Sequence, residues 1–169
     1  DGSVLTDTLQ STLNYYVRTD GDDDNDGLAT TAARAFATVQ GAIDRLATFP
    51  RDANKPSAGF PAKINVAAGT FAKTVKLRSM AAFEAVRIIG AGDTTIIAGV
   101  TDAIVGVNPV DTPYSIETCK LTATAGSCIR AENGNRISFT GVNFGAATVA
   151  HIQAHSHGKI SCAGSYSIS

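Results

Sequence analysis

Cys128-Ile129-Arg130-Ala131-Glu132-Asn133-Gly134-Asn135-Arg136-Ile137-Ser138-Phe139-Thr140-Gly141 lies without a gap over His151-Ile152-Gln153-Ala154-His155-Ser156-His157-Gly158-Lys159-Ile160-Ser161-Cys162-Ala163-Gly164, at one constant offset in the numbering. Ile, Ala, Ile, Ser and Gly recur at matched positions. A weaker echo sets Ile64 and Val66 against Val86 and Ile88, at an offset one smaller. Repeats of this length, built from short strands, predict stacked coils. In such a coil each strand pairs with its equivalent about 4.8 Å away and inward side chains stack in ladders. Ile129 is then expected against Ile152, and Ile137 against Ile160. A leucine-rich repeat would carry Leu-x-x-Leu-x-Leu, which is absent. A hairpin sandwich would repeat Asn-Gly turns; the single Asn-Gly, Asn133-Gly134, has Ser156-His157 as its counterpart, so no hairpin turn recurs.

Outward from this repeat the chain keeps one character. Lys63–Val66, Thr74–Leu77, Val86–Ile89, Thr95–Ile97, Ile104-Val105 and Ile116–Thr122 are β-prone pieces bounded by Gly, Asp, Asn or Pro. Residues 62–169 therefore read as the coils of a parallel β-helix, an all-β fold whose coil length, counted in residues, is about 22–23. Upstream, residues 15–61 read as a strand at Tyr15-Tyr16-Val17, an Asp-rich loop and a capping helix. Phe36, Val39, Ile43 and Leu46 place one apolar stripe on a helix from about Ala37 to Thr48, with Thr38 or Thr31 as its cap. That helix is expected to plug the first coil, because an uncovered β-helix end invites edge-to-edge pairing. Arg51–Pro61 reads as a loop and residues 1–14 as a linker or connector. Alternation still runs through Ile160, Cys162, Tyr166 and Ile168, and no second plug follows, so further coils or a partner chain are expected to cover that end.

A chain of 169 residues suits one domain with a substantial core. Charged residues make up 17% of the chain and hydrophobic residues 44%, which excludes disorder driven by charge. Lys and Arg are scattered singly, so nucleic acid is not expected as a partner. No apolar run is long enough to cross a bilayer, so no membrane insertion is expected. Three cysteines, Cys119, Cys128 and Cys162, cannot all pair within one chain, and buried free thiols are the expectation.

The run Tyr15-Tyr16-Val17-Arg18-Thr19-Asp20-Gly21-Asp22-Asp23-Asp24-Asn25-Asp26-Gly27-Leu28, followed by Ala35–Asp44, then Ile64–Phe71 and Val86–Gly90, resembles the opening of right-handed parallel β-helix proteins of the pectin-lyase-like superfamily. It is particularly similar to the version found in bacteriophage tail, fibre and spike proteins. The resemblance covers residues 15–99 by motif and the remainder by repeat style. It implies a structural or adhesive virion protein of a tail, collar, spike or fibre. It implies also a homotrimer, contacts with other virion proteins and with host surface polysaccharide, and location in the virion. Secreted polysaccharide lyases share this opening, so the alternative is a lyase or hydrolase: a tailspike depolymerase or a secreted pectate-lyase-like enzyme.

Three groups of residues are candidates for chemistry. Asp22-x-Asp24-x-Asp26-Gly27 matches the first half of a calcium loop, but the twelfth position is Ala33 where a bidentate Glu is needed. The competing reading is a solvated turn. His151, His155 and His157 share one face if the strand is extended, and His155-x-His157 has the spacing of a metal-binding pair. The competing reading is a surface ladder. Asp93, Asp102, Glu117 and Glu132, with Arg130 and Arg136, are the groups available for glycoside cleavage, and their spacing selects no pair. No catalytic residue and no cofactor other than calcium is assigned.

Overall fold

The computed structural model describes residues 12–49, 61–80 and 82–169. These described residues form a parallel β-solenoid of about four turns with one short helix. The strands are β1 (Asn14–Val17), β2 (Ala62–Val66), β3 (Gly69–Phe71), β4 (Val75–Lys76), β5 (Val86–Gly99), β6 (Ile104–Gly106), β7 (Tyr114–Ala123), β8 (Ser127–Ala131), β9 (Arg136–Thr140), β10 (Val142–Ala147), β11 (Ala150–Ala154), β12 (Lys159–Cys162) and β13 (Tyr166–Ile168); the helix α1 spans Val39–Ala47. Most of the expected lead-in, residues 1–11, and most of the expected loop, residues 51–60, lie outside the described residues.

Each coil presents three faces. The first stacks β1, β2, the first half of β5, the first half of β7, β9 and β12; the second stacks β3, the later halves of β5 and β7, β10 and β13; the third stacks β4, β6, β8 and β11. Every pairing is parallel. Side chains alternate in and out along a strand, so fixed registers build ladders. On the first face the inward ladder is Tyr15, Ile64, Ile88, Ile116, Phe139 and Cys162. On the third it is Val75, Ile104, Ile129 and Ile152.

The repeat holds where it was read: Ile129 pairs with Ile152, and Ile137 with Ile160. It slips at one point. Val142 pairs with Tyr166, so Gly141 lies opposite Ser165 rather than Gly164. The earlier echo is corrected as well, because Ile64 pairs with Ile88 rather than with Val86. A slip of two preserves which side chains face inward, so alternation could not separate the two registers. Coil length also varies: Val86 pairs with Tyr114, a longer circuit than the one from Ile129 to Ile152.

The bends between the first two faces use left-handed backbone: Gly92, Thr118 and Gly141 have φ of 84°, 48° and 60°. A β-branched residue such as Thr118 is strained there; its hydroxyl donates to Gly90 O at 2.9 Å. The turn after the third face repeats too. Asn133 and Gly134 have φ of 53° and 81°, and Ser156 and His157 have 47° and 68°. The same bend therefore recurs with different residues, but it joins strands of different faces in a parallel stack and is no hairpin; backbone stacking imposes the conformation on whichever side chains are present.

Helix α1 begins at Thr38, whose hydroxyl accepts from Gly41 N at 2.9 Å, and Val39, Ala42, Ile43 and Leu46 are buried against the first coils. Phe36 belongs to the same core but precedes the helix, bridging to Val17 as an isolated strand partner. The side-chain amide of Gln40 accepts from Lys76 N at 2.7 Å and donates to Lys76 O at 3.3 Å. It thus meets the edge of β4 as a neighbouring strand would. At the other end of the stack, Ile152, Tyr166 and Ile168 are 40%, 56% and 62% exposed.

Candidate functional site

The acidic loop is organised by local bonds. Asp20 pairs with Arg18 at 2.8 Å, and Asp26 takes the Arg34 guanidinium at 2.7 Å while its other contact is Leu28 N at 2.9 Å. Hydrogen bonds from Arg18 and Arg34 hold the Asp20 and Asp26 carboxyls below the usual range. Asp22 accepts from Asp24 N at 3.0 Å, the Asx turn expected of such a sequence. Asp23, which the alternate-carboxylate reading leaves aside, accepts from both Thr38 N at 2.8 Å and Thr38 Oγ1 at 2.7 Å. It ties the loop to the start of α1. Gly27, at φ 72°, lies under the Phe36 ring where any Cβ would collide. The loop is thus a clasp over the free edge of β1, with Tyr16 N bonding Gly27 O and Phe36 N bonding Tyr16 O, both at 2.9 Å. Asp22, Asp24 and Asp26 each serve a separate contact or face solvent.

The histidines are placed differently from the extended-strand expectation. Strand β11 ends at Ala154, and Gly158 N donates to His155 O at 2.8 Å across a turn. Two consecutive left-handed residues, Ser156 and His157, break the alternation on which a shared face depends. His151 remains in the strand, its Nε2 3.1 Å from Gly145 O and its ring beside Phe144. Among the described residues no group of three or more His, Cys, Asp or Glu side chains is gathered to hold a metal ion.

Two ion-paired clusters join neighbouring coils. Arg87 meets Glu117 through two bonds of 2.8 and 2.6 Å, and Ser115 Oγ adds a third at 2.8 Å. The Arg87 bonds hold the Glu117 carboxyl below its usual range against the opposing effect of burial. Asp102, whose side chain is 9% exposed, accepts from Ser127 N at 2.8 Å and lies 3.1 Å from Arg130 Nε. Arg130 also approaches Glu132 at 3.4 Å. Sequence spacing missed the Asp102 contact because it reaches across a whole coil, the one that sets Ile104 against Ile129.

Asp93 is different: it sits in a bulge of β5 and, among the described ion pairs, meets no basic side chain. Its contact is Asn143 Nδ2 at 3.2 Å. Arg136 is turned to the Asp111 carbonyl, at 3.3 Å. The buried thiols are inert by environment, since desolvation pushes Cys119 up to about 12 and Cys128 up to about 11. Cys162 is exposed, contrary to the expectation of burial, and all three thiols are free. A shallow groove on the first face is lined by Tyr16, Arg18, Thr30, Asn65, Ile89 and Ala91. No helix of the described residues is long and apolar enough to cross a membrane.

Of these carboxylates, Glu117 and Asp102 brace neighbouring coils, while those of the acidic loop make contacts within the loop and to the start of α1. Glycosidic chemistry needs one carboxyl that gives a proton and a second carboxylate that acts as base or nucleophile; of the candidate carboxylates, Glu117 is tied to Arg87, whose hydrogen bonds hold it below its usual range. Comparison with protein-family models, with curated proteins and with solved structures gives no match to this chain.

Proposed function

We propose that this chain is a structural and adhesive component of a bacteriophage virion, a rigid stalk segment of a tail, collar, spike or fibre that works as a homotrimer beside other virion proteins. The virion part of this reading rests on the likeness of residues 15–99 to the opening of bacteriophage tail, fibre and spike proteins. The observation that carries the mechanical role is the bracing of successive coils by Arg87–Glu117 and Asp102–Arg130 over continuous apolar ladders. A stack in which each coil is bonded along its length to the next resists bending and can hold a host-binding surface away from a particle. The groove beside Tyr16 is the surface on which a host polysaccharide would lie.

Purified particles provide the test. The stalk reading expects the chain to sediment with particles, to cross-link as a trimer, and to leave capsular polysaccharide and pectin intact. A free monomer that cleaves either polymer, with cleavage lost in Asp93→Asn, would establish the polysaccharide lyase or hydrolase instead. Asp93 is the carboxylate to change because no basic side chain pairs with it among the described ion pairs.

A further inference from the structure

Asn133-Gly134 is the chain's single Asn-Gly pair, and both residues are exposed at the turn that follows β8. Gly134 has no atom within 4 Å of where a Cβ would stand. Its backbone N–H makes no bond among those of the turn, whereas Asn135 N donates to Glu132 O at 3.1 Å. A backbone nitrogen that is unbonded and unshielded, one residue after an asparagine, is a nucleophile adjacent to an electrophilic amide carbon. We propose that Asn133 is a site of spontaneous deamidation in the folded protein. Solvent base takes the Gly134 N–H proton, the nitrogen attacks Asn133 Cγ, and as the new C–N bond forms the Cγ–Nδ2 bond breaks, the departing NH2 group taking a proton from solvent and leaving as ammonia. The resulting five-membered succinimide is opened by water at either carbonyl, leaving aspartate or isoaspartate at position 133.

The step requires Asn133 to leave its left-handed conformation. Two contacts oppose that: the turn bond from Asn135 N and the bond from Asn133 Nδ2 to Val107 O in the preceding coil. The Val107 bond is at the exposed corner of the stack, whereas Asn135 is buried and its side-chain amide donates to Gly106 O, Asn108 O and Glu132 O, so the rate of modification reads how often Asn133 and Gly134 open above that anchor. The product cannot close again in the same way. A carboxylate oxygen replaces the Nδ2 donor and meets the Val107 carbonyl, acceptor against acceptor, next to the charge of Glu132. An isoaspartate also lengthens the main chain by one carbon inside a coil whose pairing with its neighbour is regular. Modification is therefore expected to loosen this corner irreversibly.

The repeat supplies its own controls. The next coil makes the same bend with Ser156 and His157, so Asn133→Ser and Gly134→His place residues already tolerated at this position, the first without an amide and the second with a shielded nitrogen. The folded chain would be incubated in mildly alkaline buffer, digested, and mapped by mass spectrometry, with isoaspartate methyltransferase labelling to identify the branched product. The expected result is conversion at Asn133 ahead of Asn65, Asn135 and Asn143, slowed several-fold by Gly134→His and abolished by Asn133→Ser. The thermal midpoint of the parent chain should fall during incubation while that of Asn133→Ser stays constant. Absence of conversion at Asn133 in the folded chain, over a period in which the urea-unfolded chain converts fully, would overturn the proposal. So would earlier conversion at any other asparagine.

Discussion

Ile129 and Ile152 are the same residue on the same ladder, one coil apart, and differ in what covers them: Ile129 is fully buried and Ile152 is 40% exposed. Truncating each to alanine removes three carbons, worth about 2.4 kcal/mol when burial is complete, at about 0.8 per methylene. At Ile129, Ile104 and Ile152 lie on either side in the ladder, so a cavity of about 50–60 Å³ remains and adds about 1.3 kcal/mol. Ile129→Ala is then expected to cost about 3.5–4 kcal/mol. Ile152 retains roughly three-fifths of the transfer contribution and leaves no enclosed void, so Ile152→Ala should cost about 1.4 kcal/mol. Urea unfolding followed by circular dichroism reads the difference. With a slope of about 2 kcal/mol per molar, the midpoint should drop by about 2 M for Ile129→Ala and by less than about 1 M for Ile152→Ala, with unchanged slopes. Equal shifts would refute the stacked-coil account of the core, since two facing antiparallel layers would give these residues no such relation.

Other consequences can be measured on the same protein. Glu117→Gln should lower stability by about 1 kcal/mol at neutral pH. The folded Glu117 carboxyl is held below its unfolded value, so its contribution is present above the unfolded pKa and disappears as pH falls through the folded one; the variant should therefore converge on the parent in acid, and a gap that persists there would discount the Arg87 pair. His157→Gly removes a left-handed strain at φ 68° and should raise stability by about 0.5–1 kcal/mol; a loss in urea unfolding would contradict the assigned turn. A charged alkylating reagent should label Cys162 alone in the folded chain and all three thiols in urea; rapid labelling of Cys119 without denaturant would show that the core is not packed as described. Gln40→Ala should speed hydrogen exchange at the Lys76 amide by tenfold or more, the equivalent of about 1.4 kcal/mol; unchanged exchange would mean that Gln40 does not protect the β4 edge.

The repeat between residues 128 and 164 was legible because the two coils keep the same length through β12, and Ile129/Ile152 and Ile137/Ile160 fall on matched inward positions. The earlier coils were harder to read. The Ile64 echo was found two residues out of register, since period-two alternation is blind to that displacement. Val86–Ile89 and Thr95–Ile97 looked like separate strands because the Gly90–Asp93 bend interrupts the apolar pattern, yet the backbone pairing runs through it as one strand. Helix α1 was legible from its stripe and from Thr38, both local properties. The candidate sites were less so. Carboxylate spacing drew attention to Asp22, Asp24 and Asp26, while the decisive partners, Arg34 for Asp26 and Thr38 for Asp23, come from elsewhere in the loop. Asp102 and Arg130 meet only through coil stacking. The His155-x-His157 reading assumed extended backbone where stacking produces a turn.

The bulge of β5 has a consequence for how such a chain can be altered. The path from Ile88 to Ile97 is longer than the path from Ile116 to Leu121 in the next coil, yet Ile88 still meets Ile116 and Ile97 still meets Leu121. Extra length is therefore absorbed at the rim without disturbing the rungs on either side. Thr95 is buried and bonded to Ala91, Val66 and Ala67, but the tip at Gly92 stands in open space, so added length there is expected to cost folding little, which makes it a rational position at which to graft a foreign epitope.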